Sequence, residues 1–253
     1  SRGVRLAMIT MSGEMGYPGV LSAPVWGFED VSFDGEKLSL PQAFETYVME
    51  NILFKISFPA EFHAQTAVEA AVKLHHEIKD KIDDIKSVEI TTHESAIRII
   101  SKVGELNNPA DRDHCLQYMV AIGLLKGNLV AEDYEDDVAK DSRIDALREK
   151  MIINEDKRYS KEYLEADKRS IANRIQIHFN DGTATDEVEV EYPIGHKRRR
   201  KEGIPVLEKK FKDNLAITYD EEVSNKIFNL CMNQKELEET SVIDFQSLFS
   251  KIP

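Results

Sequence analysis

The sequence predicts an α+β fold: a smaller α+β domain with an antiparallel sheet, flanked at both ends by segments of an all-helical domain. Three observations carry this. Between Asn173 and Tyr192, Ile175, Ile177 and Phe179 alternate with polar residues, Asn180-Asp181-Gly182 supplies a turn, and Val188, Val190 and Tyr192 alternate with Glu187, Glu189 and Glu191. This pattern is a β-hairpin with one buried face and one acidic, wet face, ended by Pro193. Ala64, Ala67, Val68, Ala71, Leu74 and Ile78 fall at three- and four-residue steps, which makes one face of an amphipathic helix. Beyond Gly203 the pattern is helical again. Asp220 can cap a helix bearing Val223, Ile227, Leu230 and Cys231, and Ser241 another bearing Val242, Phe245, Leu248 and Phe249.

The remaining elements follow in chain order. Val4 to Met11 reads as the tail of a helix that ends near Gly13 and Gly16. Gly13 to Gly35 is rich in Gly and Pro and reads as loop. Its aromatics Tyr17, Trp26, Phe28 and Phe33 suggest an ordered loop lying on a core. Val88 and Ile90 alternate with Glu89 and Thr91 at strand spacing. Asn108-Pro109, followed by Asp111 and Asp113, marks a helix start, because Pro suits the first turn and acids suit the N-terminal dipole. The helix expected there carries Leu116, Met119, Val120, Gly123 and Leu124. We place boundaries near Asn51 and Gly203. Residues 1–50 and 203–253 would be parts of one helical domain, and 51–202 the α+β domain inserted between them. The opening Ser1-Arg2-Gly3-Val4-Arg5, with no initiator Met, reads as a chain cut inside a larger protein.

Bulk properties exclude several classes. The chain has 253 residues with 42% apolar and 31% charged, enough for a sizeable core. A formal net charge of -13 argues against nucleic-acid partners. No apolar run approaches the roughly 20 residues of a membrane span. Cys115 and Cys231 are isolated and cannot supply an iron–sulfur cluster or a structural zinc site. Both sit among apolar residues and read as core thiols in a reducing compartment.

Few residues suggest chemistry by themselves. Lys55, between Phe54 and Ile56 and before Pro59, could bind carboxylates from a partly buried position, or could simply snorkel to water. His63, just before the amphipathic helix, could serve as an acid or base, or could cap and pack. His75 and His76 read as structural or exposed. His114 and Tyr118, four apart, would share a helix face and could bond a polar substrate, or be satisfied by backbone. The run His196 to Lys201 (HKRRRK) is the one strong basic cluster. It reads as a solvated loop, as residues facing a small polyanion, or as a nucleic-acid patch. No phosphate loop, dinucleotide fingerprint, nucleophile elbow or zinc-helix motif occurs.

Longer blocks say more. NILFKISFPAEFHAQTAVEAA (51–71), LNNPADRDHCLQYMVAIGLL, YEDDVAKDSRIDALREK, VEYPIGHKRRR and the opening SRGVRLAMITMSGEMGYPGVLSAPVWGFEDV together resemble the MmgE/PrpD family along essentially the whole chain. The family's protein is about twice as long, and its N-terminal half has no counterpart here. The resemblance implies an all-helical domain plus an α+β lid, here 51–202. It implies a lyase that dehydrates 2-methylcitrate to 2-methyl-cis-aconitate in the methylcitrate cycle of propionate catabolism, by general acid/base elimination without metal or cofactor. Lys55, His114 and Tyr118 become catalytic candidates, and His63, His196 and Arg198 substrate-binding ones. The principal acid and base would lie in the other half, so this chain alone is expected to be inactive. The expected partner is a small tricarboxylate, not nucleic acid or membrane, with a homodimer left open. The expected compartment is the mitochondrial matrix in a eukaryote and otherwise the bacterial cytoplasm. Alternatives are a cis-aconitate decarboxylase of the same fold, a non-catalytic binding fragment, or RNA binding through HKRRRK.

Overall fold

A computed structural model describes residues 1–40, 42–43 and 47–250. The chain forms two compact units, residues 1–49 and 50–253. In the first, α1 (Arg2–Met11) carries no buried residue and ends before Gly13, whose φ of +99° suits glycine alone. The segment from Gly13 to Gly35 contains turns and one short helix, α2 (Phe28–Phe33). Phe28 and Phe33 pair edge to face at 5.4 Å, but Tyr17 and Trp26 are 90% and 85% exposed. A third short helix, α3, spans Tyr47–Asn51.

The second unit is built around a four-stranded sheet. Along the chain come α4 (Gln65–Ile78), β1 (Ile85–Thr92), α5 (Glu94–Ile100), α6 (Pro109–Asp113), α7 (Leu116–Lys126), α8 (Asp136–Ala139) and α9 (Ser142–Glu149). Then follow β2 (Met151–Glu155), α10 (Lys157–Leu164), β3 (Asn173–Phe179), β4 (Val188–Val190), α11 (Arg200–Thr218), α12 (Glu221–Met232), α13 (Gln234–Glu239) and α14 (Val242–Phe249). The strand order is β2-β1-β3-β4. β1 pairs antiparallel with β3, and β3 with β4. The predicted hairpin is present, with Ile175 opposite Val188 and Gly182 at φ +89° in its turn.

The sheet is mixed, not purely antiparallel. β2 runs parallel to β1, with Val88 opposite Met151 and Thr92 opposite Glu155. A parallel neighbour requires a long crossover, and here helices α5 to α9 provide it. β2 is only five residues long and follows a polar helix, so its own pattern does not announce a strand.

The core forms where α4 packs on β3 and β4 on one side and on α7 on the other. Every residue of α7 from Leu116 to Leu124 is buried, because the helix is covered on all sides. Gly123 allows the two helices to touch: a Cβ there would stand 2.9 Å from the Ala71 Cβ. Cys115 is buried, as expected, whereas Cys231 is only half-buried.

One local expectation is revised. His114 and Tyr118 do not share a helix. Asn108 caps α6 as predicted, but the backbone leaves helical geometry at His114 (φ -109°, ψ 25°) and Cys115 (φ -120°, ψ 106°) before α7 begins. Gly203, near which we place the second boundary, lies in the first turns of α11. That glycine serves close approach, since a Cβ would meet the Ile194 carbonyl at 2.5 Å. The helices after it carry their own small set of buried residues, Leu215, Ile227 and Leu230, outside the main apolar cluster. Asp220 and Ser241 cap α12 and α14 as read from the sequence.

Candidate functional site

The chain enters α4 through one tight turn, Phe62–Ala64, and this turn builds an acid–histidine pair. The Glu61 carboxylate accepts the backbone N–H of His63 at 2.7 Å and capping thereby satisfies a donor at the turn's start. The same carboxylate lies 2.9 and 3.1 Å from His63 Nδ1. Nδ1 therefore carries hydrogen, and Nε2 is the atom free to exchange a proton. His63 is only 6% exposed. Burial alone would raise the Glu61 carboxyl; the hydrogen bond and charge of His63 outweigh it and hold the group below its ordinary range. His114 adds a smaller pull of the same sign.

Three further elements close around His63. Its Nε2 lies 3.2 Å from the Tyr163 hydroxyl, on α10. His93, at the end of β1, stacks on the Tyr163 ring at 4.7 Å and 9°, and its ring centre lies 5.2 Å from that of His63. His93 is fully buried, and burial first, then the His63 charge, push its pKa down to about 4. It stands in the cluster as a neutral ring. Asn173, the first residue of β3, donates to the His63 carbonyl at 2.9 Å and to Thr66 Oγ1 at 2.7 Å, which ties the turn to the sheet.

The predicted site residues divide. His63 is at the centre, and His114 is close enough for its charge to act on Glu61. The His114 side chain is 51% exposed and bonds Asp113. Lys55 is exposed, between half-buried Phe54 and buried Ile56, and its carbonyl accepts Lys210 Nζ at 2.8 Å. Tyr118 is 2% exposed and donates to the Asp133 carbonyl at 2.7 Å, with burial pushing its phenol up to about 12.

The basic run is bound within the chain. His196 stacks on Tyr192 at 4.4 Å and accepts the Arg198 N–H at 3.2 Å; burial, then the neighbouring cations led by Arg198, push its pKa down to about 4. Arg198 donates to the carbonyls of Asp167 and Lys168 and to the Tyr192 hydroxyl, at 2.5, 2.8 and 2.7 Å. Arg199 grips Glu69 with two bonds of 2.8 and 3.0 Å, and Arg200 lies 3.9 Å over the Phe54 ring. These residues lock α11 to the α+β unit, a role that a solvated-loop or anion-patch reading does not contain.

Glu61, His93 and Tyr163 were not singled out by sequence reasoning. Glu61 had a signal, its place two residues before His63 in FPAEFH; the other two had none, since 30 and 100 positions separate them from His63. A cleft of about 560 Å³ opens elsewhere, beside Lys102, Gln117, Tyr118 and Arg148, and none of the His63 cluster lines it. Among the described residues no group of three or more His, Cys, Asp or Glu is placed to hold a metal ion. No described helix is long and apolar enough to cross a membrane.

Comparison with known proteins places this chain in a family. Residues 58–234 match the MmgE/PrpD C-terminal domain. The chain is 55% identical over 252 residues to the 2-methylcitrate dehydratase of Escherichia coli (strain K12), covering 98% of this chain and 52% of that protein. It is 52% identical over 254 residues to the mitochondrial 2-methylcitrate dehydratase of Yarrowia lipolytica, covering 99% and 48%. The 2-methylcitrate dehydratase-like protein oryR of Aspergillus oryzae is 37% identical over 259 residues. The chain belongs to the MmgE/PrpD family. It spans about half the length of the relatives it matches.

Proposed function

We propose that this chain supplies the lid half of a hydro-lyase that dehydrates 2-methylcitrate to 2-methyl-cis-aconitate, in propionate catabolism. The single observation that carries the reading is the Glu61–His63 pair, supported by similarity to proteins named for that reaction. Elimination requires a proton to leave carbon next to a carboxylate and a hydroxide to leave the adjacent carbon. A carboxylate bound to Nδ1 fixes the tautomer and orients Nε2, which suits His63 to hold and return one proton. We assign it the second step, protonation of the departing hydroxyl. Lys55 and His114, both exposed, are suited to bind substrate carboxylates. For Tyr118, His196 and Arg198, whose polar atoms are bonded within the chain, we assign support of the site. The base for the first step and the rest of the helical domain, to which residues 1–50 and 203–253 would contribute, belong to the other half. The matrix of mitochondria in a eukaryote, or the cytoplasm in a bacterium, is the proposed compartment.

The test is turnover of a chimaera that joins the N-terminal half of the E. coli relative to this chain, beside the chain alone. We expect dehydration of 2-methylcitrate by the chimaera, little or none by the chain, and a loss of about 10²- to 10⁴-fold in chimaeric His63→Ala. Robust turnover by the chain alone would overturn the half-site reading. Release of carbon dioxide from cis-aconitate without dehydration would favour the decarboxylase. Salt-sensitive retention on RNA would favour the nucleic-acid alternative.

A further inference from the structure

The residue type at position 93 is unexpected for its local role. His93 caps α5, its Nδ1 accepting the Ala96 N–H at 3.3 Å. The other α-helices with a side-chain cap use Asn108, Asp141, Asp156, Asp220, Asn233 and Ser241, the small polar residues that do this best, and a histidine, His196, recurs only at the short 3-10 turn Lys197–Arg199. A histidine with Nδ1 as acceptor carries its hydrogen on Nε2, and among the described residues that buried atom finds no partner. An unsatisfied buried donor is a cost that Ser or Asp would not incur. What the histidine adds is its ring, parallel to Tyr163 at 4.7 Å. Tyr163 itself is half-buried, and the His63 ring completes a triangle with it, 5.6 Å from Tyr163 at 49° and 5.2 Å from His93.

We propose that His93 is a positioning residue: by stacking on Tyr163 it holds the phenol where the hydroxyl meets His63 Nε2, so that Tyr163 extends the Glu61–His63 pair by one proton-carrying group. The protons balance. With His63 neutral, Nδ1–H faces Glu61 and Nε2 accepts the Tyr163 hydrogen. When His63 gains a second proton, Nε2–H donates to the Tyr163 oxygen, and the phenol hydrogen turns outward to a solvent water that serves as the proton acceptor. Passing that hydrogen on, while Nε2 returns its own to the phenol, restores the neutral pair. This inference rests on reading His63 as an acid, but its test involves no substrate.

The test is solvent exchange of the His63 Nδ1 hydrogen in the chain, followed by nitrogen-edited NMR. Three variants separate the parts. Tyr163→Phe keeps the stack and removes the hydroxyl; swinging the ring away from Glu61 then no longer breaks a bond at Nε2, and we expect Nδ1–H exchange to rise about fivefold, the worth of one hydrogen bond. His93→Asn keeps the cap and removes the ring; the same rise is expected, with the Ala96 amide still protected. His93→Phe keeps a ring and removes the side-chain cap; His63 should exchange as in the parent while Ala96, left with its 3.1 Å bond to the residue-93 carbonyl, loses part of its protection. Unchanged His63 exchange in His93→Asn overturns the proposal. So does a rise in His93→Phe as large as in His93→Asn, which would make capping the cause. Failure of the dehydratase reading would appear in chimaera turnover and leave this pattern intact.

Discussion

Replacing Glu61 by Gln isolates the charge of the acid–histidine pair. The amide keeps one oxygen for the His63 backbone N–H, so the turn retains its cap, but the ring loses an anionic acceptor at 2.9 Å. Both side chains are largely shielded, at 13% and 8% exposure, so solvent screens the loss only partly. A hydrogen bond to a charged group is worth about 1.5–3 kcal/mol, and we expect a stability loss of about 2 kcal/mol at neutral pH. For a unit of this size that is roughly 4–8 °C in Tm. The pH dependence has a definite sign. The folded carboxyl sits below its ordinary 4.5, because the His63 hydrogen bond and charge overcome burial. Its stabilisation is therefore full above the unfolded value and fades as pH falls through the folded one. Urea denaturation followed by circular dichroism at neutral pH and at about pH 3 reads this directly. The gap between parent and variant should narrow toward the acid limb. A gap that stays constant with pH, or widens in acid, refutes the charge-pair account.

Other outcomes follow from the same geometry. Arg199→Ala removes the two bonds to Glu69 and leaves that carboxylate, 13% exposed, with the half-exposed Lys73 at 3.1 Å as its remaining cation; we expect a loss of about 1–2 kcal/mol and faster amide exchange in the first turns of α11 but not in α7. Arg199→Lys should recover only part, since an ammonium cannot form the paired bonds. Tyr118→Phe deletes a buried 2.7 Å bond to the Asp133 carbonyl and should cost about 1 kcal/mol by denaturation while chimaera turnover changes less than twofold. A turnover loss of a hundredfold would instead return Tyr118 to the reacting groups.

Helix α4 was legible from residue spacing alone, since a 3.6-residue period places Ala67, Ala71, Leu74 and Ile78 on one buried face. The β3–β4 hairpin was legible because alternation and an Asn-Asp-Gly turn are local signals. Family membership was legible in the long blocks around Lys55, His114 and His196. Tertiary structure decided the rest. β2 is a strand because β1 offers it a parallel edge, not because Met151–Glu155 demands one. The helix break at His114 separates two residues that spacing had joined, turning one outward and burying the other. HKRRRK looked like a free charge run, yet its guanidinium groups are occupied by carbonyls, Glu69 and aromatic rings. The Glu61–His63–Tyr163–His93 cluster brings together the turn before α4, the end of β1 and helix α10. Local sequence sets periodicity and caps, because those interactions act over three or four residues. A proton-handling site requires groups within about 3 Å whose neighbours along the chain are unrelated, and only packing of the elements brings them to that distance.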